Sequence, residues 1–229
     1  MLLSALGWAT YAWISVGSRP DKVGLAACCP VDRLQAQPDR YSCFQLDVRI
    51  CPDSTLRVLP LSDAVTPLAI DPYFQYLSQH PQSHLWMDIK NLDDDNFDLF
   101  VQQIQHLLGT YLVDRGQLIL QSRRWDLLGW FTRRDVYTSY DVDLPKPSLL
   151  TSHQMDSVVT RLSRVVESGC ISALSFPSCW YGALRQQFRT SDIEFLTWRP
   201  GTGEYLFMLD PLGHLMLRDP RLRYILVED

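Results

Sequence analysis

The feature that most constrains this chain is a repeated change of hydrophobic period along its length. Short runs that alternate apolar and polar residues every second position give way to stretches whose apolar residues recur every three or four. Residues 42–50 (SCFQLDVRI) have the first pattern, residues 55–59 follow after the turn-forming Cys51-Pro52-Asp53-Ser54, and residues 84–89 (HLWMDI) form a further strand-like run. Behind them Phe97, Phe100, Val101, Ile104, Leu107, Leu108 and Tyr111 fall on one helical face, with Gly109 near the predicted end. The alternation continues through strands at 117–120 and 136–140, with a helical stretch at 125–131 between them. A second helical stripe of Met155, Val158, Val159, Leu162, Val165 and Val166 is entered at Ser152 and closed by Gly169. Residues 22–28 open the series, and 171–176, 193–198 and 224–227 complete it. Strands separated by helices imply a mainly parallel sheet, because parallel neighbours need a long crossover. About eight such strands in roughly 200 residues predict an α/β fold of the (β/α)8 barrel type; an open sheet satisfies the same pattern.

Composition sets the outer limits. The chain has 229 residues, 46% of them hydrophobic and 21% charged, which is enough apolar side chain to fill the core of one domain of this size. Its 21 Lys and Arg against 26 Asp and Glu give a net charge of -5 without basic clusters, which excludes a dedicated nucleic-acid binder. The six cysteines show no CxxC spacing and sit mostly in apolar runs, so reduced, buried thiols are expected rather than a zinc site or a disulfide framework.

Residues 1–18 stand apart from the barrel predicted for residues 22–229. They carry no charged side chain and include Leu2, Leu3, Leu6, Trp8, Tyr11, Trp13, Ile14 and Val16. As a helix they would span about 27 Å, just short of a bilayer core. Aromatic residues of this kind suit a membrane interface, and Arg19 and Lys22 follow at once, which places the barrel on the cytoplasmic side of a membrane that the segment would contact through lipid. Two other readings stay open: a cleaved signal ending near Ser15-Val16-Gly17, and a helix that covers the barrel.

In a barrel of this type chemistry belongs at the carboxyl ends of the strands. The residues there are Cys28 and Cys29, Asp47 and Arg49, Asp88 and Lys90, Gln121 and Ser122, Asp141, and Trp198. The run Phe44-Gln45-Leu46-Asp47-Val48-Arg49-Ile50-Cys51-Pro52-Asp53 resembles the "E-x-D-V, then T-x-D-G" segment of glycerophosphodiester phosphodiesterases. Trp86-Met87-Asp88-Ile89-Lys90 resembles their "E-I-K" strand, residues 195–198 their late "V-W-T" strand, and residues 223–229 their closing strand. Four motifs in this order cover roughly residues 22 to 229.

The resemblance implies a barrel that hydrolyses phosphodiesters in lipid metabolism, with two histidines for proton transfer and a divalent cation held by carboxylates. This chain departs from that pattern at four positions. Cys28 and Cys29 stand where the family has His-Arg, Gln45 where it has its first metal-binding Glu, and Pro60 where it has its second His. Asp47, Lys90 and Trp198 are kept, and Asp88 replaces a Glu. None of His80, His84, His106, His153 or His214 falls at a predicted carboxyl strand end. Asp47 remains as a weak ligand for Mg or Ca, so no firmly held cofactor is expected. The Asp93-Asp94-Asp95 run precedes a helix and is expected to cap it. Arg123-Arg124 and Arg133-Arg134 flank a Trp- and Leu-rich stretch that either packs on the barrel or touches lipid headgroups.

The expected protein is therefore a catalytically degraded, membrane-associated barrel, a pseudoenzyme of the phosphodiesterase type. Asp47, Arg49, Asp88, Lys90 and Trp198 would contact a phosphate-containing small molecule or a protein. The alternatives are an active phosphoric diester hydrolase with an altered site, and a different barrel enzyme using Asp47, Asp88, Lys90 and Asp141.

Overall fold

The computed structural model describes residues 21–26, 31–36, 40–59, 66–203, 207 and 210–228. Residues 1–18, Cys28, Cys29 and Pro60 lie outside this set. Ten strands run in chain order: β1 (Val23–Leu25), β2 (Cys43–Ile50), β3 (Leu56–Val58), β4 (Leu68–Ala69), β5 (His84–Ile89), β6 (Leu118–Ser122), β7 (Tyr137–Asp141), β8 (Ala173–Pro177), β9 (Glu194–Gly203) and β10 (Leu222–Glu228). Eight of them pair in parallel in the order β1-β10-β9-β8-β7-β6-β5-β2, and β1 also pairs with β2, which closes the barrel. The other two, β3 and β4, extend antiparallel from the upper part of β2.

The helices are α1 (Val31–Ala36), α2 (Asp71–Gln79), α3 (Phe97–Tyr111), α4 (Trp125–Thr132), α5 (Ser152–Glu167), α6 (Tyr181–Gln187) and α7 (Pro211–Arg218). They cover the outside, as the sequence alternation requires. Along each barrel strand one parity faces the helices and the other faces the barrel axis. Leu46, Val48, Leu85, Met87, Leu118, Leu120, Leu174 and Phe195 belong to the large core between barrel and helices. Cys43, Trp86, Ile119, Ala173, Leu196, Tyr224 and Leu226 form a separate cluster, with Ala26, Tyr137 and Trp198 against it; this cluster fills the barrel. A Cβ on Gly24 would come within 3.0 Å of the Cys43 carbonyl oxygen and Leu226 Cδ2, so the close packing of β1 admits only glycine there without movement.

Two helix ends differ in detail from the expectation. Helix α3 runs past Gly109 and ends on Leu112, which takes the left-handed conformation (φ 53°) while 88% exposed. A leucine pays a steric penalty there that glycine avoids. Leu112→Gly is therefore expected to stabilise the protein by up to about 1 kcal/mol, measured as a raised urea midpoint with unchanged slope. At α5 the cap is Thr151 rather than Ser152. Its side chain accepts from the Gln154 N–H, and Gln154 reaches back to the Thr151 N–H. Gly169 supplies the left-handed turn after that helix.

The acidic run before α3 splits into separate tasks. Asp93 accepts from the Asn96 backbone N–H at 3.0 Å, and Asp94 pairs with Arg124 at 3.0 Å. Among the described residues no helix is long and apolar enough to cross a membrane. The cysteines described (Cys43, Cys51, Cys170 and Cys179) are free thiols.

Candidate functional site

The inward parity that buries Cys43, Trp86 and Ile119 deep in the barrel brings polar residues to its carboxyl-terminal mouth. On β2 the inward series is Cys43, Gln45, Asp47; on β5 it is Trp86, Asp88; on β6 it is Ile119, Gln121. Register does the rest. Asp47 lies opposite Asp88 across the β2–β5 pair, and Asp88 lies opposite Gln121 across β5–β6. A cavity of about 320 Å³ opens there, lined by Gln45, Asp47, Asp88, Lys90, Gln121, Arg123, Asp141 and Trp198 among others. Four of the five residues expected to contact a ligand thus share one cavity. The fifth does not: Arg49 is exposed beyond the barrel on the β2–β3 extension, opposite Arg57, beside Asn91 and Asn96.

The floor of this cavity is held rigidly. Trp86 is fully buried, and its Nε1–H donates to Gln121 Oε1 at 2.9 Å. The Ser175 hydroxyl donates to the same oxygen. Two donors from opposite sides fix the Gln121 carboxamide and so fix which end of it faces the cavity.

Above the floor are two ionic clusters. Lys90 Nζ lies 3.1 Å from Asp47 Oδ1 and 2.5 Å from Asp88 Oδ2. Arg123 Nε lies 3.2 Å from Asp141 Oδ2, and its Nη2 lies 2.6 Å from Asp143 Oδ2. Arg123 and Asp143 were not among the sequence candidates. Arg123 follows directly on the end of β6, a position that could have singled it out, and it binds carboxylates of the mouth.

Burial dominates the acidity of Asp88 and pushes its carboxyl up to about 6, with Lys90 opposing and Asp141 and Asp47 reinforcing the change. Burial likewise raises Asp141, against the pull of Arg123. Lys90 is held above its ordinary value: burial works to lower it, and the Asp88 and Asp47 charges outweigh that.

This has a consequence for stability. A carboxyl whose pKa is higher in the folded chain than in the unfolded one holds its proton more tightly when folded. Its favourable contribution is complete below about pH 4 and is lost as the pH rises through about 6, a change on the order of 3 kcal/mol by linkage. Asp88→Asn cannot titrate. The stability of the native chain relative to this variant is expected to decline between about pH 4 and about pH 6 and to level off above. Urea unfolding of both proteins across that range checks it.

Among the described residues the carboxylates of the mouth are paired with cations and are not gathered as a metal cluster. Oxygen-ligand cation sites gather several donors free of competing positive charge. Here the Lys90 ammonium already bridges Asp47 and Asp88, Arg123 takes Asp141 and Asp143, and the Gln45 amide faces Asp47 Oδ1 at 3.5 Å. Among the described residues no group of three or more His, Cys, Asp or Glu side chains is placed to hold a metal ion. As placed, the described carboxylates fit Mg or Ca poorly, and Asp47, the metal candidate from sequence, pairs with Lys90.

Solved structures share this architecture. A glycerophosphodiester phosphodiesterase from Parabacteroides distasonis superposes with a TM-score of 0.63 at 12% identity, over 92% of this chain and 93% of that one. A phosphodiesterase from Oleispira antarctica, in complex with the product sn-glycerol-3-phosphate, gives a TM-score of 0.59 at 11% identity over 90% and 92%. A mandelate racemase/muconate lactonizing enzyme from Roseiflexus gives 0.57 at 11% identity; 96% of this chain corresponds to 58% of that one. At such identities the likeness is one of fold. The first two match over nearly their whole length, and they are the kind of barrel that the sequence motifs resemble. No protein-family sequence model matches the chain, and no curated protein matches it in sequence.

Proposed function

We propose that the chain is a divergent glycerophosphodiester phosphodiesterase-like barrel that no longer hydrolyses diesters and uses its mouth to bind a small polar molecule. The observation that carries this reading is the Lys90 ammonium seated between Asp47 and Asp88, where a cation-dependent diesterase would need free carboxylates. The mouth is preorganised for binding by its rigid Gln121 floor and the half-buried Trp198.

Charge selects the ligand. Four lining carboxylates (Asp47, Asp88, Asp141 and Asp143) face two cations, Lys90 and Arg123, each already paired. Such a surface offers more acceptors than donors, so it suits the hydroxyls of a polyol or sugar better than a phosphate dianion. Ligand-detected NMR with a panel of polyols and hexoses, beside glycerol 3-phosphate, tests this. Contact by hydroxyl-rich ligands that weakens in Asp47→Ala is expected, with glycerol 3-phosphate binding less well. Tight binding of glycerol 3-phosphate, or of nothing in the panel, would count against the reading.

One observation favours the alternative of an active hydrolase. A carboxyl at about 6, as in Asp88, titrates close to the range where a general acid or base works best. In that reading activity would follow Asp88 in its dependence on pH and disappear in Asp88→Asn.

A further inference from the structure

The mouth of the barrel has two unlike sides. In the closed sheet β8, β9, β10 and β1 follow one another, and β2, β5, β6 and β7 complete the circle. The first side gives the cavity Pro177 from β8, Trp198 from β9 and Ala26 just after β1. Pro177 lies opposite Trp198 in the β8–β9 register, and Ala26 and Trp198 both pack on the cluster that fills the barrel. The second side gives Gln45 and Asp47 from β2, Asp88 from β5, Gln121 from β6 and Asp141 from β7. Apart from the fully buried Val142, the described lining is thus an apolar arc facing a polar one.

The polar arc offers more than acceptors. A tryptophan indole can only donate, so its bond to Gln121 turns the carboxamide oxygen toward Trp86. The Ser175 hydroxyl holds the same oxygen. The Gln121 Nε2 group is left on the cavity side, 1% exposed as a residue and without a hydrogen-bond partner among the described residues. It is a fixed donor on the floor, set among the carboxylates of Asp47, Asp88 and Asp141, which accept when ionised.

A ligand that matches both arcs has an apolar face, several hydroxyl donors on the other side, and one oxygen that accepts from the floor. It needs no net charge, because Lys90 and Arg123 are each paired with lining carboxylates. A pyranose ring is built this way: its axial C–H groups gather on a face that packs on an aromatic side chain, and its hydroxyls stand around the edge. An open-chain polyol presents the same groups only after several freely rotating bonds are frozen, at a cost in entropy that the ring avoids. The cavity of about 320 Å³ lies at the small end of ligand pockets and holds one ring rather than a chain of them.

We propose, resting on the reading of the mouth as a binding site without hydrolysis, that its ligand is a single uncharged hexose ring. One C–H face lies on Trp198, Pro177 and Ala26, the hydroxyls donate to Asp47, Asp88 and Asp141, and one ring or hydroxyl oxygen accepts from Gln121.

Saturation-transfer NMR and titration calorimetry on the full chain test this, with a set of hexoses each compared with the open-chain hexitol to which it reduces. For at least one pair the ring is expected to bind at least about tenfold more tightly, with saturation concentrated on the C–H protons of one face. Trp198→Ala is expected to weaken that hexose by at least about tenfold while the barrel still unfolds cooperatively on heating. The comparison on the native chain needs no variant, so it decides the matter if Trp198→Ala does not fold. Hexitols that bind as tightly as every hexose, or saturation spread evenly over both faces of the ring, overturn the inference and leave the mouth as a polyol site. Binding of neither class, or tight binding of glycerol 3-phosphate in their place, overturns the inference together with the reading beneath it.

Discussion

Replacing Trp86 with alanine is expected to lower the stability of the barrel by about 3–5 kcal/mol and its unfolding temperature by roughly 10 °C. The indole is fully buried inside the barrel, in the cluster with Cys43, Ile119, Ala173, Leu196, Tyr224 and Leu226. Removing it leaves a cavity that strands locked in a closed sheet cannot collapse to fill. A second loss adds to the first, because Gln121 Oε1 would keep only the Ser175 hydroxyl as a donor. Trp86→Phe separates the two effects. It keeps most of the volume and loses the N–H, so a penalty of about 1–2 kcal/mol is expected, together with loosened binding at the mouth. Equilibrium urea unfolding of the two variants gives both numbers. If Trp86→Ala changed stability by less than about 1 kcal/mol, the indole would not be the interior wedge described here.

Where local pattern and tertiary environment agree, the sequence is a good guide to this fold. The strand at residues 84–89 and the helical face from Phe97 to Tyr111 match β5 and α3: β5 is an apolar run buried on both faces, and α3 buries Phe100, Ile104 and Leu107 on the face its periodicity marks. The sequence pattern does not mark helices α1, α2, α6 and α7. Each has at most nine residues, too few for a periodicity to stand out, although Pro72 and Pro211 in their first turns mark the starts of two of them. The β3–β4 extension was only half legible. Residues 55–59 read as a strand, but nothing local says that they pair antiparallel with β2 outside the barrel.

At the mouth, resemblance to a known family led to Asp47, Asp88, Lys90 and Trp198, and strand parity explains why they converge. It did not lead to Arg123 or Asp143, which lie in loops where no periodicity applies; Arg123 was instead grouped with Arg124 beside an aromatic stretch. The network partners of a site are set by three-dimensional distance, and Arg123 reaches Asp141 and Asp143 from 18 and 20 residues away. From sequence, Lys90 reads either as a point charge for a phosphate or as the partner of Asp47 in an ion pair; in the fold it bridges Asp47 and Asp88.

The larger effect expected is on chemistry: glycerophosphodiester hydrolysis should be absent, or at least about 10⁴-fold below what a barrel with both proton-transfer groups would reach. Each general acid or base contributes about 10²–10⁴-fold, and the family pattern has its two histidines where this chain has Cys28 and Pro60. Proline cannot transfer a proton, and a thiol of ordinary acidity is a poor substitute for imidazole at neutral pH. The charge on the metal side is missing as well. Gln45 replaces a carboxylate, and adding Mg or Ca must compete with the Lys90 ammonium for Asp47 and Asp88. Hydrolysis should therefore stay at background across a titration of either cation, and Gln45→Glu alone should not restore it. Release of glycerol phosphate by the full chain, compared with Asp47→Ala and Asp88→Asn, is the measurement. Turnover well above background that vanishes in Asp47→Ala would reveal a working diesterase. If its rate also changed through about pH 6, Asp88 would be the group that moves the proton.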